Sequence, residues 1–393
     1  MTRLISACLF CVALLGGCAT RPVNVLAPIA EPPPPGAGRV EMLVATTRAA
    51  STDPGEMFTG GRSFEPSLIT LSVSIPPPEA RKPGAVQWPE RLPPNPATDF
   101  AVLEARRLPP DQLGDWARGH PPPSGRVAVF VHGYNSNFEA SVYRYAQVAW
   151  DSRMAATPLL FSWPSRGSAL DYVYDRDSAT FSREALEEIL RRLAALPEIR
   201  EISVVAHSMG AWLAMESLRQ MAIRDGRVDP KIRDVALAAP DLDVDVFAGQ
   251  FLELGETPPN IVVFVSRDDR ALALSQRIGG GVDRLGMIDP NAEPYKTGLR
   301  MTNLTVVDLT GMKSDDRLSH GVFAQSPEIV RLLGGLIDSG EIRVASDSIP
   351  LDDQFTVFVH GAARTVGGAA NLLLSAPAAL LSPLGGASSS EAY

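Results

Sequence analysis

The amino-acid sequence predicts an α/β protein with a mostly parallel, doubly wound sheet and antiparallel strands on its N-terminal side. Three observations point there. From residue 126 short β-branched runs alternate with longer segments of helical period. The runs are apolar almost without interruption, as strands covered by helices on both faces must be. One of them, 201–206, leads directly towards Ser208, and a helix of small and apolar residues starts at once.

Before residue 126 three segments have strand character: 40–47, 67–75 and 99–107. The second alternates, with Leu71, Val73 and Ile75 on one face. The Pro-rich stretch 76–97 reads as a surface excursion. Beyond 126 the runs 127–131, 158–162, 201–206, 234–238, 261–265 and 304–308 are the expected buried strands. Residues 182–195 place Ala185, Leu186, Ile189 and Leu193 at helical spacing, with Arg191 and Arg192 facing out. Residues 327–338 read as a final helix. Together these segments predict one domain over 40–345. Residues 346–393 form a C-terminal extension of low complexity, expected to be poorly ordered after 362. Within it, Val357–Gly361 repeats the Val-Phe-Val-His-Gly of 129–133 and reads as coincidence or an edge strand.

The segment Ile202–Ala214 carries the chemistry. A strand, a tight turn and a helix present Ser208 at the carboxyl end of the sheet, where α/β proteins bind ligands. Such a turn needs small residues two before and two after the serine, and Ala206 and Gly210 supply them. The helix that follows offers backbone N–H groups and a positive dipole end to a developing oxyanion, the Met209 N–H first among them. A second donor is expected from the loop after 127–131. There Gly133 permits a backbone reversal that aims the Tyr134 N–H at the same spot. His132 reads as orienting this loop, and Trp163, Arg166 and Tyr134 as bordering the mouth. The plain alternative for Ser208 is an ordinary helix N-cap.

Other chemistries find no support. The five histidines (His120, His132, His207, His320, His360) are scattered, with no H-E-x-x-H spacing for zinc. No Walker loop or G-x-G-x-x-G opens a helix, and Gly279-Gly280-Gly281 reads as a flexible link. No metal or cofactor is expected.

His132-Gly-Tyr-Asn-Ser136, Phe161-Ser-Trp-Pro-Ser165, Ala206-His-Ser-Met-Gly210 and Ser266-Arg-Asp-Asp-Arg-Ala-Leu272, in this order, resemble the α/β-hydrolase superfamily. The chain is most similar to a bacterial branch of unknown function, over about residues 40–340. The resemblance implies the α/β-hydrolase fold and a serine hydrolase whose triad follows the order Ser, acid, His. On that order His320, between the last strand and the final helix, is the general base; His360 is the other histidine in the region. Asp269, directly before Arg270-Ala271-Leu272, is the implied acid, with Asp268 its rival and Asp241 a more distant candidate. Ser208, Asp269 and His320 would cleave carboxylic esters through an acyl-enzyme, on a small acyl ester or a lipid. An inactive binding protein, or a peptidase or thioesterase of the same fold, are the competing readings.

The N-terminus speaks to location. A basic start (Met1–Arg3) and a twelve-residue apolar run (Leu4–Leu15) lead to Leu15-Gly16-Gly17-Cys18. This resembles the lipobox of bacterial lipoproteins, which implies a signal peptide over 1–17 and lipidation of Cys18. An ordinary secretory signal cut nearby is the alternative. The cysteines are Cys8, Cys11 and Cys18, so a processed chain keeps at most one and has no intrachain disulfide. Residues 18–39, with Pro32–Pro35, read as an extended tether. The resemblance implies export and a lipid anchor at the cell envelope, on the outer membrane facing the periplasm. The 36 Lys and Arg against 45 Asp and Glu leave a net charge of −9, which argues against a basic nucleic-acid binder. Hydrophobic residues make up 45% of the chain, too many for wholesale disorder.

Overall fold

A computed structural model describes residues 23–119, 124–302, 304–312, 316–340, 342–344, 355–359, 362–366 and 372–374. The expected signal segment, Cys18, His120 and His360 lie outside the described residues. Strands β1 (Gly38–Ala50), β2 (Phe58–Ile75) and β3 (Ala101–Leu108) come first, then helix α1 (Leu113–Gly119). The alternating part follows as β4 (Arg126–Val131), α2 (Phe138–Ser152), β5 (Thr157–Ser162), α3 (Tyr172–Phe181), α4 (Arg183–Ala194), β6 (Glu201–His207) and α5 (Met209–Asp225). It continues with β7 (Ile232–Ala238), α6 (Val244–Leu252), β8 (Asn260–Val265), α7 (Arg270–Ile278), α8 (Tyr295–Met301) and β9 (Thr305–Asp308). Helices α9 (Val322–Gln325) and α10 (Pro327–Ser339) precede four short strands, β10 (Ile342–Val344), β11 (Phe355–Val359), β12 (Ala362–Val366) and β13 (Leu372–Leu374).

One sheet runs in the order β12-β11-β9-β8-β7-β6-β4-β5-β1-β2-β3. Strands β9, β8, β7, β6, β4, β5 and β1 are parallel neighbours. Antiparallel strands close both edges, β2 and β3 on one side and β11 and β12 on the other. The chain leaves β4 for β5 on one side and later returns to β6 on the other. The crevice above the carboxyl ends of β4 and β6 is therefore the switch point at which such sheets bind ligands.

Period-2 alternation splits the core between the two faces. In β4, Val127, Val129 and Val131 face one cluster with Leu190 and Leu193 of α4 and Leu213 of α5. Ala128 and Phe130 face the other, with Val142 of α2 and Leu333 of α10. This is the doubly wound arrangement that the unbroken apolar runs require.

The sheet also corrects two boundaries. The stretch 18–39 does not run free as a tether up to residue 39. Val25 and Leu26 are buried, the Leu26 N–H donates to the Gly55 carbonyl at 2.9 Å, and the Tyr143 hydroxyl donates to the Val25 carbonyl at 2.8 Å. Two apolar side chains outweighed the proline signal and seated this segment against α2. At the other end the sheet does not stop at 345, and most of the stretch after 366 lies outside the described residues. β11 pairs with β9 and β12 pairs with β11, and Phe355 and Val357 are buried against the core. The repeated Val-Phe-Val is thus a sheet strand that covers the open edge of β9, with β12 outside it.

Candidate active site

Two loops meet over the switch point. Ser208 stands between β6 and α5 at φ 53°, ψ −124°, a conformation that a non-glycine residue adopts only under constraint, at about 1–3 kcal/mol. The constraint is visible in the neighbours. The Ser208 N–H donates to the Ala238 carbonyl at 2.9 Å, and the Asp241 N–H donates to the Ser208 carbonyl at 3.2 Å. A Cβ on Gly210 would lie 2.3 Å from the His132 carbonyl oxygen and 2.6 Å from that of Val131. A Cβ on Gly133 would lie 2.7 Å from His207 Nδ1 and 2.9 Å from Ser208 Cβ. Both glycines are therefore required because the loop after β4 touches the turn after β6. Gly133 serves this contact rather than a reversal, since the positive φ falls on Asn135, at 57°. The contact brings Gly133 against His207 and Ser208, and the His132 carbonyl against Gly210 in the first turn of α5.

The loop after β4 is held from behind by buried charge. Arg48, on β1, is fully enclosed. Its guanidinium donates to the Ser165 carbonyl at 2.7 Å, the Ser136 carbonyl at 2.7 Å and Ser162 Oγ at 2.9 Å. Burial lowers its pKa to about 10, with nearby Asp175 opposing the shift, so it remains a cation at neutral pH. Asp175 is itself buried. It accepts from the Asn135 N–H at 3.1 Å, the Arg166 N–H at 3.0 Å and the Ser165 hydroxyl. His132 stacks on Trp163 with ring centroids 4.8 Å apart. Its Nε2 accepts from the Trp163 N–H at 3.1 Å. Burial, then the charge of Arg48, pulls its pKa to about 3, so it is a neutral ring that shapes the loop and holds no mobile proton near neutrality. Trp163 was expected at the mouth but is fully buried here, because the Phe-Ser-Trp-Pro-Ser segment packs inward under His132. Arg166 is exposed and lies over the Tyr174 ring at 3.6 Å, paired with Asp171. Tyr134 is half-buried, and its hydroxyl donates to the Ala169 carbonyl.

The loops after β8 and β9 carry Asp269 and His320, 51 residues apart in sequence and joined at 2.7 Å between Asp269 Oδ2 and His320 Nδ1. Asp269 is 1% exposed and caps α7, its Oδ1 accepting from the Leu272 N–H at 2.9 Å. Capping and partnering the histidine thus fall on one carboxylate. Burial works to lower the His320 pKa, but the hydrogen bond and charge of Asp269, helped by Asp241 and Asp316, carry it above the ordinary imidazole value. Asp268 faces solvent and accepts from the Gly311 N–H at 2.8 Å. Asp241 is engaged elsewhere, accepting from Tyr172 Oη at 3.0 Å and Ser275 Oγ and pairing with Arg284 at 3.4 Å. Of the three candidate acids, the structure brings only Asp269 to the imidazole among the described residues.

Residues that sequence reasoning passed over complete the arrangement. Asp316 accepts from the N–H groups of Leu318 at 3.0 Å, His320 at 3.1 Å and Gly321 at 3.3 Å, so one side chain shapes the His320 loop. His207 joins the two halves: its Nε2 lies 3.3 Å from the His320 carbonyl, and its ring centroid lies 4.7 Å from that of His320 and 4.4 Å from Phe323. Burial, then the neighbouring His320, drives the His207 pKa well below its ordinary value, which leaves it neutral and able to donate to that carbonyl. Arg48 did leave a signal, being a charge within the otherwise uncharged Met42–Ala50. Among the described residues no group of three or more His, Cys, Asp or Glu is placed to hold a metal ion.

A doubly wound sheet with a serine on a strained strand-to-helix turn at its switch point, and a hydrogen-bonded Asp–His pair on the loops after β8 and β9, is the architecture of an α/β hydrolase. Residues 118–335 match the family described as "Alpha/beta hydrolase of unknown function (DUF900)", and the chain belongs to that family. An uncharacterized protein of Nostoc sp. is 39% identical over 61 residues, a segment that spans 16% of this chain and 16% of that protein. Among solved structures, the predicted CIB-like hydrolase of Thermoplasma acidophilum aligns at 14% identity and a TM-score of 0.34, over 55% of this chain and 87% of that one. A lipase-esterase related protein of Clostridium acetobutylicum aligns at 12% identity and 0.29, over 55% and 96%.

Proposed function

We propose that this hydrolase cleaves carboxylic esters through Ser208, His320 and Asp269. The observation that carries the reading is the 2.7 Å Asp269–His320 contact, made by a buried carboxylate to Nδ1. It fixes the imidazole with Nδ1–H toward Asp269 and leaves Nε2 to take the Ser208 proton. The serine oxygen then adds to the acyl carbonyl, and the oxyanion forms against the N–H groups of Met209 and Tyr134. Collapse expels the alcohol, protonated by His320. Water, deprotonated by the same ring, releases the acid. A fluorophosphonate probe tests this: the wild-type protein is labelled and Ser208→Ala is not. Folded wild-type protein that resists the probe would overturn the reading.

The same proposal places the enzyme at the cell envelope, exported and lipid-anchored through Cys18, with an acyl ester or lipid as substrate. The mass of the mature N-terminus, and detergent partitioning of wild type against Cys18→Ser, check it. An unmodified Cys18 in the mature protein would remove the anchor.

A further inference from the structure

Beside the crevice lies an apolar cleft of about 660 Å³ that the triad does not use. That volume is within the roughly 300–1,000 Å³ of small-molecule sites. Its walls come from α6, α8 and the segment 281–288, with Phe247, Leu285, Ile288, Leu299 and Leu304 all buried as its floor. The rim is acidic. Asp243, Asp245 and Asp283 stand on it, and no Lys, Arg or His is among the described residues lining it.

The cleft neighbours a small cavity beside the Ser208 turn, with one residue common to both linings. This cavity, of about 30 Å³, is lined by Met209, Trp212 and Val246, with Asp241 paired to Arg284 and with Arg176 at its edge. Asp243 borders both this cavity and the cleft. The Val244 N–H donates to the Asp283 carbonyl at 3.2 Å and the Leu285 N–H to the Leu242 carbonyl at 2.8 Å, so a two-stranded strap forms the shared wall.

We infer that this cleft holds the acyl chain of an uncharged long-chain ester. An alkyl chain finds an apolar floor there, and three carboxylates repel a free fatty acid or a phosphate-bearing headgroup. Hydrolysis turns the bound ester into the anion that this rim disfavours, so the cleft helps to release the acid. The assignment rests on the ester-cleaving reading for its substrate, whereas occupancy of the cleft can be measured without turnover.

The probe is a dodecanoyl methyl ester bearing an NBD fluorophore, titrated into full-length Ser208→Ala. Gly298 lines the cleft on α8, and a Cβ there meets nothing within 4 Å, so Gly298→Phe fills the space without a backbone clash. Ala248→Trp fills it from α6. Each filling variant should weaken the ester about tenfold, and the free acid should bind at least about fivefold more weakly than the ester. With Ser208 present, p-nitrophenyl dodecanoate should exceed the butyrate in kcat/KM, and the variants should lose that advantage while keeping the butyrate rate. Unchanged probe binding in both variants, each melting as the parent does, overturns the cleft assignment. An acid bound as tightly as the ester overturns the uncharged class. If no ester of any length is turned over while the variants still block the probe, the cleft stands and the ester-cleaving reading falls.

Discussion

The two loops that meet over Ser208 are built on opposite plans. The loop after β4 rests on an enclosed guanidinium, a buried carboxylate and a stacked His–Trp pair, with hydrogen bonds running into β1, β5 and the segment before α3. The described part of the loop after β9 is held by single hydrogen bonds from its neighbours, with Asp316 and Asp268 on its N–H groups, the Arg270 N–H on the Leu318 carbonyl and Asp269 on its imidazole. Oxyanion donors gain from rigidity, since they work only if already aimed when charge develops. A general base shuttles a proton between two partners, so its side of the site needs the right tautomer more than a fixed backbone.

The largest effect expected from breaking this comparison is on the base side. Asp269→Asn should lower kcat by about 10⁴, because the amide favours the wrong tautomer. Asp268→Asn, on a solvent-facing side chain, should stay within about threefold. The pH profile sharpens the point. As the proposed general base His320 would act only when neutral, so kcat/KM should rise with pH through a value above the ordinary imidazole pKa of 6.5. Removing the Asp269 charge leaves burial opposed only by Asp241 and Asp316, so in Asp269→Asn the rise should move to lower pH. A profile that does not move would separate Asp269 from the titrating base.

On the oxyanion side the damage should appear first in stability. Arg48→Met strips a buried cation from the Ser136 and Ser165 carbonyls and leaves Asp175 without its neighbour, at about 3–5 kcal/mol. Denaturant unfolding reads it directly, and a loss under about 1 kcal/mol would mean the cluster is dispensable. The smallest effect belongs to Asp316→Asn. It should lower kcat/KM by about tenfold through misplacement of His320, with little change in melting temperature. Equal losses of stability in Arg48→Met and Asp316→Asn would erase the contrast between the loops.

The legible parts of the sequence share a physical origin. β4 to β9 could be placed from apolar runs because a strand buried on both faces tolerates little else, and the turn at Ser208 from its small neighbours. Asp269 and His320 came from order and motif, since a contact across 51 residues leaves no local pattern. The Arg48–Asp175 cluster stayed hidden because each of its members is polar and ordinary in its own segment, and only the fold brings them together. Residues 24–29 and 355–366 were misjudged for a related reason. Short apolar stretches gain their value from the surface that awaits them, here α2 and the free edge of β9.

The seating of residues 24–29 has a consequence for reach. The Asn24 N–H donates to Glu139 at the first turn of α2, so the chain joins the body at the carboxyl end of the sheet, the end that carries Ser208. From Cys18 to Val23 is a step of five residues, which spans at most about 18 Å even when fully extended. Under the proposed anchoring, a lipid on Cys18 would work as a short leash fixed at the end of the sheet that bears Ser208, and not as a long boom from the far side. Held that way, the crevice would draw its substrate from the bilayer surface a few lipid diameters away rather than from the open solution.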